Sequence, residues 1–347
     1  MKAYRPFRVV ACIATLMPVL MYVAAAAGQY HVVKRISIPG DTGWDYITAD
    51  TEGRRLYVPH GTELVVLDLD TGATAGRIIG QKDVHGVAVA RDVGRGFLDA
   101  TDPGSVTVFD LKTLAVIEKV RVGDDPNGII YDPTTHRVFT ADRGSKRITA
   151  IDAATAKIVA TSADLGGRTE HLAADGAGHV FLNMQDRGTL LKLDAHDLNV
   201  METWPLPGCG QPSSMDIDRV HLRVFIGCRS GALAVVDGTT GKIIATQPIG
   251  PGVDALEFDP TTGLIFVSTG GGGGVLSMFH QDGPDTYSLV ENVKTLPGAR
   301  TMALDHKSGT VYLPVADVGP VPAPTAENPR PRARMVPGSF SVLAVGQ

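Results

Sequence analysis

The chain has 347 residues, a formal net charge of −5 at pH 7, and 40 Gly with 22 Pro. Such acidity argues against binding phosphate backbones by bulk electrostatics, and no basic stripe with interleaved aromatics appears, so nucleic acid is not an expected partner. A composition this rich in turn formers and poor in aromatics suits many short strands joined by tight turns.

Residues 1–27 stand apart. Lys2, Arg5 and Arg8 precede an apolar run from Val9 to Ala27 that ends in a string of alanines. A positive flank, an apolar centre and a small-residue exit describe a secretory signal peptide cut near Ala27, which places the mature protein in the periplasm or outside the cell. The competing reading is an uncleaved anchor, because the run is nearly long enough to span a bilayer. Pro18 and the alanine tail favour cleavage. Removing the three cationic residues takes the net charge from −5 to −8. Nothing later in the chain is apolar enough to cross a membrane, so no membrane association is expected after cleavage.

The mature chain opens on a single strand, Tyr30 to Gly40. Next comes a unit that is written repeatedly, most clearly from Pro126 to Thr161. An apolar run, Gly128 to Tyr131, meets the turn Asp132-Pro133-Thr134-Thr135. A second strand, Arg137 to Ala141, carries Phe139. A third, Arg147 to Ile151, stops at Asp152, and a fourth runs Lys157 to Thr161. Alternation and β-branched residues predict an antiparallel meander. Aromatics matching Phe139 recur at Tyr57, Phe97, Phe181, Phe225, Phe266 and Tyr312, about 40 to 46 positions apart, the period of four-stranded propeller blades. Seven positions before most of them stands an Asp (Asp50, Asp132, Asp218, Asp259, Asp305), a residue that closes tight turns through its own side chain. Third strands end alike at Asp68, Asp110, Asp152, Asp194 and Asp237.

One such blade cannot bury both faces, whereas seven around an axis bury each against a neighbour. The expected fold is therefore all-β: a seven-bladed β-propeller of four-stranded antiparallel blades, forming one domain over residues 28–347. First strands are expected near Trp44, Val84, Pro126, Thr169, Pro212, Val253 and Arg300. Arg300 to Gln347 supplies only three strands, the last being Phe340 to Val345. Pairing it with the N-terminal strand would latch the ring and cover its open edge.

Three local features interrupt the repeat. Cys209 lies just before the first strand of the fifth unit and Cys228 ends its second, so an exported protein is expected to bridge them. Gly270–Gly274 joins two strands of the sixth unit and lacks the Lys-Ser/Thr of a phosphate loop, which predicts a flexible or tightly curving connector. The Pro-rich segment 317–338 in the last unit is either a passive loop or a lid or partner strap over one face.

In a propeller, connections entering first strands and those leaving second strands share one face around the central channel. Entering positions are Asp45, His85, Asn127, Glu170 with His171, Ser214, Asp254 and Arg300. Leaving positions include His60, Asp102, Asp142, Arg143, Gln185 and Arg229. This mixture suits a protein partner or a small polar ligand. Asn127, Glu170 and Asp254, with Asp45, offer hard oxygens for Ca²⁺ or Mg²⁺. His60, His85 and His171 could instead suit Zn²⁺ or act as a base. No cofactor is assured, and no local spacing motif supports a metal. His136, His179, His221 and His306 fall in turns on the opposite face. No Cys-x-x-Cys-His or Gly-x-Ser-x-Gly occurs.

The segments DPTTHRVFTADRGSKRITAIDAATAKIVAT and DPTTGLIFVS resemble YVTN/YncE-type β-propeller repeats of exported bacterial proteins. The resemblance covers nearly the whole mature chain and implies a seven-bladed ring and export. It implies no agreed catalytic residues. Two functions follow. The first is a monomeric, non-catalytic binding scaffold. The second is a metal-dependent hydrolase or lyase, since similar propellers that open lactones hold a divalent ion through Glu, Asn and Asp, a set that Glu170, Asn127 and Asp254 could imitate.

Overall fold

The computed structural model describes residues 1–2, 29–40, 42–101, 103–323, 325 and 333–347. The signal-peptide expectation therefore lies outside the described residues, as do Asp102 and the middle of the Pro-rich segment. Seven four-stranded antiparallel sheets form, six of them from four consecutive strands each. The innermost strands are Thr48–Asp50, Val84–Ala90, Pro126–Asp132, Thr169–Ala174, Pro212–Asp218, Val253–Asp259 and Ala303–Asp305. Five begin at the expected residue. The first and seventh begin later, because Trp44 to Ile47 and Arg300 to Met302 leave the ladder, Trp44 keeping one isolated bridge to His60.

The seventh sheet is composite. His31–Ser37 pairs antiparallel with Ser341–Gly346, His31 opposite Gly346 and Ser37 opposite Ser341. The N-terminal strand thus covers the edge that the last three strands leave open. Among the described residues no helix is long and apolar enough to cross a membrane.

Packing follows the aromatic ruler. Tyr57, Phe97, Phe139, Phe181, Phe225, Phe266 and Tyr312 are all buried. Each hydrophobic cluster draws on two neighbouring blades: Phe97 packs with Val106 and Val108 of its own sheet and with Val138 and Ile151 of the next. No blade holds a complete core of its own, so stability resides in the closed ring. The hairpin aspartates act as their positions predict. Asp50 accepts from the Gly53 N–H (2.9 Å), and Asp132 from the Thr135 N–H and hydroxyl (3.2 and 2.7 Å).

The glycine run is a tight curve. Gly272, Gly273 and Gly274 all have positive φ (62°, 105°, 84°), and a Cβ on Gly274 would lie 2.1 Å from the Leu296 carbonyl oxygen. Cys209 and Cys228 form a disulfide, with Cα atoms 5.1 Å apart.

Candidate functional site

The channel face is built by a repeated irregularity. In five innermost strands the register slips near the second residue: between Val84 and Val87, Pro126 and Ile129, Thr169 and Leu172, Pro212 and Ser214, and Val253 and Ala255. A bulge frees a residue from the ladder and re-aims its side chain. The residues at this level are His85, Asn127, Glu170, Ser213 and Asp254, joined by Asp45 and Arg300 at the equivalent places of the first and seventh blades.

Asp45, Asn127, Glu170, Asp254 and Arg300 line one cavity of about 410 Å³, together with Arg143, Arg168 and Arg229. Four guanidiniums and three carboxyl groups thus meet at the rim. Asp254 is gripped from both sides: Arg300 Nε donates to Oδ2 at 2.8 Å, and Arg229 Nη2 donates to Oδ1. Arg143 makes a two-pronged contact with Asp125 (2.6 and 2.9 Å). Glu170 is different. It is 2% exposed, its Oε2 has no hydrogen-bond partner among the described residues, and Arg168 Nε stands 3.8 Å away, beyond hydrogen-bonding reach. Burial, reinforced by the charge of Asp254, pushes its carboxyl up to about 7 against the pull of Arg229, Arg168 and Arg143. Burial also lifts Asp45 to about 6, with Arg300 and His85 pulling the other way.

Tyr46 lines this cavity and also a second one of about 360 Å³ that runs down the axis, so it stands between the two. The axial cavity is lined mostly by aliphatic residues, but Asp216, Glu257, His171 and Arg219 also line it. Asp216 accepts from the N–H groups of Phe258 (2.7 Å) and Ile217 (2.8 Å). Burial and the neighbouring Asp216 hold Glu257 far above the usual carboxylate range. Burial pushes His171 down to about 4, so it is neutral near pH 7.

Several predicted site residues do not reach the rim cavity. His60 is buried and stacked on Phe340, ring centroids 4.2 Å apart. His85 Nδ1 donates to the Pro126 carbonyl (2.8 Å), and its Nε2 stands 3.9 Å from Asp45, which it backs. Asp142 is buried in the third blade and accepts from the hydroxyls of Thr140 and Thr149. His171 belongs to the axial cavity. Ser214 lines neither, because the register slip gives Ser213 the channel-level position, where its hydroxyl donates to the Val253 carbonyl (2.9 Å). On the opposite face, His136, His179 and His221 each stand within 2.6–2.8 Å of an aspartate (Asp92, Asp175, Asp218), and His306 lies 3.6 Å from Asp259.

Asn127, Glu170 and Asp254 do share the rim cavity, yet the donor set suits a divalent ion poorly. Both oxygens of Asp254 are engaged by guanidiniums, four of which line the same space. Among the described residues no group of three or more His, Cys, Asp or Glu is arranged to hold a metal. Sequence reading missed Arg168 and Tyr46. The signal for Arg168 was its place just before the Thr169 strand, and for Tyr46 its place one residue inside Asp45.

No family model matches the chain and no curated protein resembles it in sequence. Solved structures do resemble it in shape. The structure of U3-55K aligns with a TM-score of 0.75 at 10% identity, covering 90% of this chain and 98% of that one. The WD40 repeats of RRP9 align with a TM-score of 0.76 at 10% identity (91% and 99% covered). Kuenenia stuttgartiensis hydrazine synthase aligns at 0.67 and 17% identity (80% and 94% covered). At these identities the likeness is one of fold, and it agrees with the seven sheets counted above: the chain is a seven-bladed β-propeller.

Proposed function

We propose that this propeller is an exported, YncE-like, non-catalytic binding module that takes a small polar ligand, or a polar group of a partner protein, in the rim cavity. The observation that carries the reading is the state of Glu170 and Asn127. Both are more than nine-tenths buried and line the cavity, and among the described residues Glu170 Oε2, itself cut off from solvent, has no hydrogen-bond partner. Buried polar groups cost about 1–3 kcal/mol when unsatisfied, and a ligand that bonds them recovers that energy. Export rests on the leader-like pattern of residues 1–27, and YncE kinship on the repeat wording. The described ends of the Pro-rich segment are tied to the fold and to each other: Arg35 pairs with Asp317 (3.0 Å), and Val318 bridges to Met335.

Thermal-shift screening of the purified protein against small polar metabolites tests this reading. Stabilisation that disappears in Asn127→Ala supports it, and no stabilisation by any compound counts against it. Metal-dependent hydrolysis is the second reading, favoured only by Asn127, Glu170 and Asp254 sharing one cavity. Elemental analysis decides it: a stoichiometric divalent metal lost in Glu170→Ala would replace the binding reading.

A further inference from the structure

The rim cavity is unusual in what it leaves unspent on both sides of the charge ledger. On the cationic side, Arg229 gives only Nη2 to Asp254, and Arg300 gives Nε to Asp254 and Nη2, at 3.5 Å, to the Trp44 carbonyl. Each guanidinium has five N–H donors in a planar fork, so both retain donors beside the cavity that they line. On the anionic side, no hydrogen bond from the described residues reaches the carboxyl groups of Glu170 and Asp45. Asp45 stands 3.8 Å from Arg300 and 3.9 Å from His85, both too long. Asn127, buried in the same lining, adds an amide.

A simple anion would satisfy the arginines. It would leave Glu170 orphaned and would be brought close to Asp45, Glu170 and Asp254. A simple cation would satisfy the carboxyl groups and meet four guanidiniums. A molecule carrying both charges satisfies both sets at once. Resting on the binding reading above, we infer that the rim cavity selects a small ampholyte, an α-amino acid or a short peptide terminus, with its carboxylate on Arg229 and Arg300 and its ammonium on Glu170 and Asp45. The cavity, at about 410 Å³, has room for a ligand of that size. Asp254 is then the positioning residue: it spends its own charge holding the two guanidiniums together and leaves their outer donors to the ligand. Burial and Asp254 keep the Glu170 carboxyl reluctant to ionise, and an arriving ammonium relieves that.

Isothermal titration of the full-length purified protein with each of the twenty common amino acids, and with alanyl-alanine, tests the inference. The strongest binder is then compared with its N-acetyl form, which lacks the ammonium, and its amide form, which lacks the carboxylate. Charge-assisted hydrogen bonds lost from a buried site predict at least about a tenfold weakening for either derivative. Glu170→Gln, nearly isosteric, should weaken the parent compound and abolish its advantage over the N-acetyl form. Arg300→Lys should do the same for the amide comparison. A circular-dichroism melt of each variant separates loss of binding from loss of fold. Failure of all amino acids and the dipeptide to bind at about 10 mM, or equal binding of the N-acetyl form, overturns the inference. If a polyol or plain anion from the wider screen still binds and Asn127→Ala abolishes that binding, the binding reading survives while the ampholyte assignment falls. If nothing binds in either experiment, both fall.

Discussion

Arg300 reaches across a blade boundary to Asp254, 46 residues earlier, with Nε 2.8 Å from Oδ2. The contact joins the sixth and seventh blades at the channel mouth, where Arg229 of the fifth blade holds the other oxygen. One carboxylate therefore ties three blades and shapes the cavity's cationic wall. In Asp254→Ala the two guanidiniums lose their common partner and repel each other. Both are about one-third exposed, which lets water screen the loss. A destabilisation of about 2 kcal/mol is expected, less than for a fully buried pair, with ligand binding reduced at least tenfold. Urea melts and titration calorimetry on the same variant measure the two effects.

The ring closes through a strand contributed by the N-terminus, so local damage there should be felt globally. Ile38 is 2% exposed, packs in the cluster that joins the seventh and first blades, and donates its N–H to the Phe340 carbonyl at 3.0 Å. Ile38→Ala should cost about 3 kcal/mol in denaturant unfolding. Deleting residues 29–38 would bare the edge of Ser341–Gly346, and the product should aggregate in sedimentation or light-scattering measurements.

The Cys209–Cys228 bridge closes a segment with a sequence separation of 19. In the chain-entropy model such a loop is worth about 3 kcal/mol. Cys209→Ser paired with Cys228→Ser should lower the unfolding midpoint accordingly. The effect of dithiothreitol on the wild-type midpoint should approach that of the double variant and be absent in the variant itself.

Stability should also depend on pH in an uncommon direction. Burial lifts Asp99 and Glu170 to about 7, and Asp45 and Asp142 to about 6, above the range near 4 that these groups show in an unfolded chain. Between about pH 5 and pH 7 these four groups therefore hold more protons in the folded protein than in the unfolded chain. The stability these groups contribute is present at the acid end and is lost as pH rises through their folded values. His171, pushed down to about 4, acts oppositely, losing stability as pH falls from about 6.5 towards 4, but it is one group against four. The melting temperature should be about 5 °C higher at pH 5 than at pH 8. Asp99→Asn together with Glu170→Gln should flatten that dependence. A melting temperature that rises from pH 5 to pH 8 would contradict it.

The fold was legible because its determinants are local and repeated. Phe139 and its six counterparts, the turn-closing aspartates and the short strands recur at one period, and each unit needs neighbours to bury its aromatic. The candidate site was only half legible. Asp45, Asn127, Glu170, Arg229, Asp254 and Arg300 could be assigned to one face from strand order alone, and they do line one cavity. His60, Asp142 and Ser214 could not be sorted, because that assignment is coarser than the choice between pointing into a blade interface and pointing into the channel. A one-residue slip in the ladder makes that choice, as Ser213 and Ser214 show.

By itself the sequence determined the number of blades, their strand order, the head-to-tail latch and the pairing of its two late cysteines, since periodicity and the energetics of covering sheet faces leave little freedom. Tertiary structure alone decided which charges meet. Asp254 holding Arg229 and Arg300, Glu170 Oε2 left without a hydrogen bond among the described residues, and Tyr46 dividing the channel all depend on side chains from different blades converging at a distance of a few ångströms, and no spacing along the chain encodes that convergence.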